Sequence, residues 1–171
     1  MWRSFAFSVF LMLTTSPAVT GNDGYLGWIT YRNDEFGLVL EYPDHIFKAD
    51  DTNPTSAGQV FVSANGDARL LVGAIRNLDN HSPESYRTFI SRELYAGFDV
   101  DYSPAGRSWT VISGARDDTM FYQNVMFSCA GDVINSFALT YPVTQRKVYD
   151  PIVERIEDSF RVAQRGCRDG Q

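Results

Sequence analysis

The sequence predicts an α+β fold, an antiparallel β-sheet flanked by helices, on three observations. Short runs of aromatic and β-branched residues recur between clusters of turn formers, which is the punctuation of strands. Most of these runs lie only a few residues apart, whereas parallel pairing needs a crossover of a dozen residues or more, so the sheet is expected to be antiparallel. Two proline pairs, Ser82-Pro83 and Asp150-Pro151, each precede apolar residues at helical spacing, so one helix divides the strand series and a second closes it.

Residues 1–21 come before the first strand. The single positive charge of Arg3, an apolar stretch over residues 4–13 and an exit rich in small residues form the three regions of a secretory signal peptide. The stretch is shorter than the roughly 20 apolar residues that span a bilayer. Cleavage after Gly21 or after Ala18 fits the small-residue rule, and the first leaves residues 22–171 as a single α+β domain. No cysteine stands near the exit to carry a lipid, and every later apolar run is soon broken by charge, Gly or Pro. The expected product is exported, periplasmic or extracellular, and soluble, with no stable membrane insertion after cleavage.

In the mature chain, residues 28–32 and 38–42 flank a turn at Asn33 to Gly37 and read as a hairpin. Polar residues and turn formers over 48–57 predict an exposed loop. Residues 59–63 and 69–76 bracket Asn65-Gly66, a pair that favours a type I′ turn with positive φ at both positions. Leu70 to Ile75 is apolar at alternate and intervening positions alike, a pattern that calls for cover on both faces of the sheet. Ser82 then supplies an N-cap hydroxyl, Pro83 the first helical position and Glu84 a first-turn acid. Tyr86, Phe89, Ile90 and Leu94 follow at helical spacing, and Gly97 suits a left-handed C-terminal position. A weaker strand is expected at 100–103, and three more at 108–116, 120–129 and 133–141. The second helix is expected to start at Asp150-Pro151, with Ile152, Val153, Ile156 and Phe160 on one face and a Glu157–Arg161 pair on its exposed side.

An even pair of cysteines, Cys129 and Cys167, in an exported chain predicts a disulfide. Strand alternation places Phe121, Val125, Phe127 and Cys129 on one face, and the tail beyond the second helix is long enough to return to that strand end.

Motifs that carry chemistry are scarce. Nucleophilic catalysis needs a base beside its nucleophile, and the histidines, His45 and His81, both fall in turns, so they are expected to be surface residues. There is no Gly-x-Ser-x-Gly elbow, and Ser82 has a capping role. The acid pairs Asp50-Asp51, Asp99 with Asp101, and Asp117-Asp118 are expected to be solvated turn or edge residues, although Asp99 and Asp101 would share a strand face as a weak calcium site would require. Zinc spacing and Gly-rich phosphate loops are missing, so neither a metal nor a cofactor is predicted. Asn80-His81-Ser82 matches a glycosylation acceptor. Trp28, Tyr31, Trp109, Tyr122 and Tyr141 offer flat faces for an apolar or sugar-stacking cleft, but on strands such residues chiefly pack the sheet. The formal net charge of −6 becomes −7 on loss of Arg3, which disfavours nucleic acid as a partner.

Tyr31-x-Asn33-x-x-Phe36-Gly37-Leu38-x-Leu40-x-Tyr42-Pro43-x-x-Phe47 resembles the opening hairpin of the PsbP/Mog1-like superfamily and of related secreted alphaproteobacterial proteins. The resemblance implies an α/β/α sandwich and no catalytic residue that can be carried over. Superfamily members include a photosystem subunit and a small-GTPase partner, so the fold by itself does not set the role. The expected function is a non-enzymatic binding or accessory module whose partner is a protein or small ligand of the cell envelope. The alternative is an envelope enzyme, hydrolase-like, with a site that the sequence does not mark. A binding module should expose an apolar patch, and an enzyme should bring a titratable group and its partner together in a cleft.

Overall fold

The structure, a computed structural model, describes residues 27–52, 55–163 and 167; the expected signal segment, residues 1–21, lies outside the described residues. The elements run β1 (Trp28–Asn33), β2 (Leu38–Pro43), β3 (Phe47–Ala49), β4 (Gly58–Ser63), β5 (Arg69–Arg76), α1 (Pro83–Glu93), β6 (Asp99–Tyr102), β7 (Trp109–Arg116), β8 (Thr119–Ser128), β9 (Val133–Pro142), α2 (Arg146–Ser159) and β10 (Arg161–Val162). They form two antiparallel sheets rather than one. The larger has the order β3-β4-β5-β9-β8-β7-β6 and the smaller the order β1-β2-β10.

Strand alternation sorts the large sheet into two faces. On one, Leu70, Val72 and Ala74 of β5 and Phe137, Leu139 and Tyr141 of β9 join Ile152, Ile156 and Phe160 from the α2 side in the main core. Leu38, Leu40 and Tyr42 of β2 enter the same cluster, so the small sheet and α2 together cover this face. On the other, Tyr86, Ile90 and Tyr95 pack on Ile112, Phe121, Val125, Phe127 and Ile134. Full burial of a side chain such as Ile90 or Phe137 stabilises the fold by roughly 1.5–3 kcal/mol. Helices therefore lie on both sides of the sheet, as expected.

Several expectations are corrected. The exposed loop begins later than predicted, because Phe47, fully buried, anchors β3 as a short edge strand paired with β4. The Asn65-Gly66 turn is not type I′. Gly66 has a positive φ of 76° and Asn65 does not, and Ser63 and Ala68 close a longer loop in which the Ser63 hydroxyl donates to Asp67. Leu70 to Ile75 is covered on one face alone, since Leu71 and Ile75 are 53% and 49% exposed.

The α1 start is as expected, with Ser82 accepting from the Ser85 amide and Ser85 returning the bond to complete a capping box. Its end is not: the cap is Leu94 in a right-handed conformation, and Gly97, with φ of 83°, serves the turn after it. Helix α2 begins four residues before Asp150, leaving Pro151 inside it, where it forgoes the bond to the Lys147 carbonyl. Asp150 is not a cap; it accepts the Tyr141 hydroxyl at 2.7 Å and pairs with Arg146 one turn earlier. The expected Glu157–Arg161 pair does not form, because the helix stops at Ser159 and Arg161 enters β10.

Cys129 and Cys167 form the expected disulfide, with Cα atoms 5.5 Å apart. The face of Cys129 differs from expectation. The strand ends at Ser128, and Cys129 takes a left-handed backbone (φ 55°) that turns its side chain away from Phe127 and towards the α2 core. The bond thus joins the end of β8 to the tail beyond α2, on the face where α2 is docked. Among the described residues no helix is long and apolar enough to cross a membrane.

Candidate functional site

Helix α1 has only 11 residues and lies over β7 and β8, reaching β9 through Ile134. Among the described residues no second helix covers the adjoining part of the same face. What remains is an open apolar groove of about 410 Å³ whose walls and floor include Val60, Leu71, Gly73, Ile75, Tyr86 and Ser136.

Two glycines shape one end of the groove. Gly58 and Gly73 face each other in the β4–β5 register, and a Cβ on Gly58 would stand 2.2 Å from the Val72 carbonyl oxygen. At Gly73 a Cβ would come within 3.0 Å of the Ala57 carbonyl oxygen, which accepts from the Ala74 amide at 2.8 Å. Side chains at these positions would push the turn at residues 55–58 off β5 and reshape the groove. The groove-facing row on β5 runs Arg69, Leu71, Gly73, Ile75, so one guanidinium stands in line with the apolar residues. Among the described residues Arg69 has no ion pair.

The histidines take different places. His45 is exposed in the turn after β2, as expected. His81 is not a free surface residue: its ring lies 5.5 Å from that of Tyr86 and 5.4 Å from that of Phe89, and Nδ1 stands 3.2 Å from the Ser85 hydroxyl. Asp79 approaches Nε2 at 4.0 Å, which outlines a Ser–His–Asp grouping. Ser85 Oγ, however, accepts the Ser82 amide in the capping box and donates to the Ser82 carbonyl, while Asp79 is largely in solvent. The hydroxyl is committed to the helix start, and the group lines none of the clefts described here. Its effect is to pin the α1 N-terminus and to support Tyr86 at the groove wall.

The acid pairs are dispersed. Asp50 accepts from the Thr52 amide and hydroxyl, which holds its carboxyl below the ordinary carboxylate range. Asp117 takes a left-handed turn conformation. Asp99 and Asp101 sit on the edge strand β6, where a bulge between Val100 and Tyr102 disturbs their register. Among the described residues no group of three or more His, Cys, Asp or Glu side chains gathers as metal ligands would.

A second cleft, of about 200 Å³, lies between α2 and the sheet and holds Tyr122, Tyr141, Arg146, Asp150 and Glu157. Burial first, and then the bonds to Glu157 and to Asp150, push the phenols of Tyr122 and Tyr141 far up. Glu157 also accepts the Asn124 amide at 3.0 Å. Phenols held protonated against carboxylates act as docking bonds for α2, not as bases. Of the other aromatics, Trp28 stacks under the Arg155 guanidinium at 4.2 Å, Tyr31 sits edge-on to Phe61, and Trp109 lies against Gly106. None of the five aromatic residues singled out from the sequence lines the groove; Tyr86 does.

Comparison with solved structures places this arrangement among known folds. The solution structure of cyanobacterial PsbP (CyanoP) from Synechocystis sp. PCC 6803 matches with a TM-score of 0.59 at 13% identity, covering 84% of this chain and 96% of that one. The fold is PsbP/Mog1-like. The Saccharomyces cerevisiae Ran-binding protein Mog1p matches at 0.58 and 9% identity over 80% of this chain and 96% of its own, and a mutant Mog1 structure matches at 0.56 and 10% over 81% and 97%. No family model matches the sequence, and no curated protein does. The motif from Tyr31 to Phe47 folds as β1, β2 and the first residue of β3.

Sequence reasoning missed the groove residues. Leu71 and Ile75 read as core, and the signal that could have corrected this was Gly73 in mid-strand, since a glycine inside a strand marks a close approach or an open surface.

Proposed function

We propose that the protein is an exported, non-enzymatic binding or accessory module, and that the groove over β4, β5 and β9 receives an apolar segment of a partner polypeptide. The observation that carries this reading is the exposure of Leu71 and Ile75 on one face of β5, beside a floor of Gly73 and Ser136. Exposed apolar patches of this kind are a mark of interaction sites. Small-molecule pockets enclose most of their ligand, whereas this groove lies open along one side, which favours a polypeptide. Arg69, in line with the apolar row, is placed to meet an acidic residue at the end of that segment. Export is supported by the signal-like residues 1–21 and by the disulfide. One solved structure of this fold is named as Ran-binding, a precedent for partner binding on the same scaffold.

The reading is tested in two parts. N-terminal sequencing of envelope protein should begin at Val19, Asn22 or a near neighbour, and an intact Met1 would contradict export. The Leu71→Asp/Ile75→Asp double variant should fold, because both side chains are half exposed, yet lose partner binding by at least about a hundredfold.

A further inference from the structure

We propose that the cleft between α1 and β6 is an oxyanion subsite that takes a phosphoryl or sulfate group through Arg87, Ser91 and Arg92. The cleft, of about 270 Å³, is walled by these residues with Thr88, Ser103 and the apolar Val100 and Ile112. Two guanidiniums line it and no carboxylate does, in a chain of formal net charge −6. The nearest β6 acid is turned away: Asp101 accepts from Ser113, which lines the cleft on the α2 face. Among the described residues neither arginine forms an ion pair. Glu84, one turn earlier on α1, feels the charge of Arg87 but accepts the Ser82 hydroxyl.

The donors are set for an anion. Arg87 Nη1 donates to the Ser103 carbonyl at 2.6 Å, which fixes the guanidinium against the far wall and, among the described residues, leaves its other N–H groups unbound. Ser91 lies one helical turn beyond Arg87, on the same side of α1, and among the described residues its hydroxyl has no partner. Thr88 is excluded from the donor set because its hydroxyl donates to the Glu84 carbonyl at 3.0 Å. A planar guanidinium matches two oxygens of a tetrahedral oxyanion, and a second cation with a hydroxyl supplies the rest of the charge and bonding.

The test is amide NMR of the purified protein titrated with sodium phosphate, against sodium chloride at equal ionic strength. Saturable shifts are expected at Arg87, Ser91, Arg92 and Ser103. Arg92→Ala should weaken binding about tenfold, and Arg87→Lys should weaken it less than Arg87→Ala. Shifts that rise linearly and match those from chloride, or that persist in the Arg87→Ala/Arg92→Ala double variant with the fold intact, would overturn the site. Vesicles of phosphatidylcholine with phosphatidylglycerol separate the sources. Co-sedimentation displaced by phosphate identifies a lipid headgroup, and saturable phosphate binding without co-sedimentation identifies a soluble phosphoryl compound.

Discussion

The Tyr95 hydroxyl is buried beneath α1 and donates to Gln123 Oε1 at 2.8 Å, while Tyr122 and Tyr141 hold Glu157 and Asp150 beneath α2. Burial is the largest cause that raises each phenol above its ordinary value of 10.0. A group whose folded pKa is raised contributes stability that is fully present below its unfolded pKa and is lost as pH rises through the folded one. Denaturant midpoints should therefore hold steady up to about pH 10 and fall above it. Tyr141→Phe removes one ionisable phenol and one bond to Asp150, so it should make that fall shallower and cost about 1 kcal/mol at neutral pH. The histidines are expected to separate in the same measurement. His45→Ala should stay within about 0.5 kcal/mol, since the ring is in solvent. His81→Ala should cost about 1 kcal/mol through its lost contacts with Tyr86 and Phe89. Residue chemistry of this kind was only half legible: the turn position of His81 could be read from the sequence, but the rings that converge on it come from the next two turns of α1.

At the scale of elements, the disulfide and β10 act together. Arg161 and Val162 pair with Val39 and Leu38 of the small sheet, and Cys167 then reaches the end of β8. The tail thereby ties the small sheet to the large one around α2. Closing a loop of this length stabilises a fold by roughly 4 kcal/mol in the chain-entropy model. Cys129→Ser should lower the unfolding midpoint accordingly, and a reducing agent should do the same to the unsubstituted protein; equal midpoints with and without the bond would contradict this. The cysteine pairing was legible because an even pair in a chain whose first residues read as a signal peptide has few other uses. Its face was not, because alternation holds only while the strand lasts, and β8 ends at Ser128. The start of α2 was misread for a similar reason: proline is favoured in a first turn, but Arg146 to Asp150 already have helical bonds or partners that local signals do not reveal. The N-terminal capping of α1 was legible because its partners, Ser82 and Ser85, lie within three residues.

Across the described residues, the seven strands of the large sheet present more apolar surface than α1, α2 and the small sheet cover. The α2 face is closed by α2 and β2 together, and among the described residues the α1 face is closed only over β7, β8 and the start of β9. Strand identity and sheet character followed from residue patterns, but which half of a face stays open depends on where an 11-residue helix comes to rest. That placement is a long-range property, and it is why Leu71 and Ile75 read as core. As proposed above, this open half is a docking surface for a polypeptide. Photo-crosslinking residues introduced one at a time at Leu71, at Ile75 and at Val148, an exposed apolar position on α2 at the opposite face, test it most directly in intact envelopes. Positions 71 and 75 should capture one and the same partner at an apolar stretch of its sequence, identified from the crosslinked peptide, and position 148 should not. No capture at 71 and 75, or equal capture at all three, would contradict it.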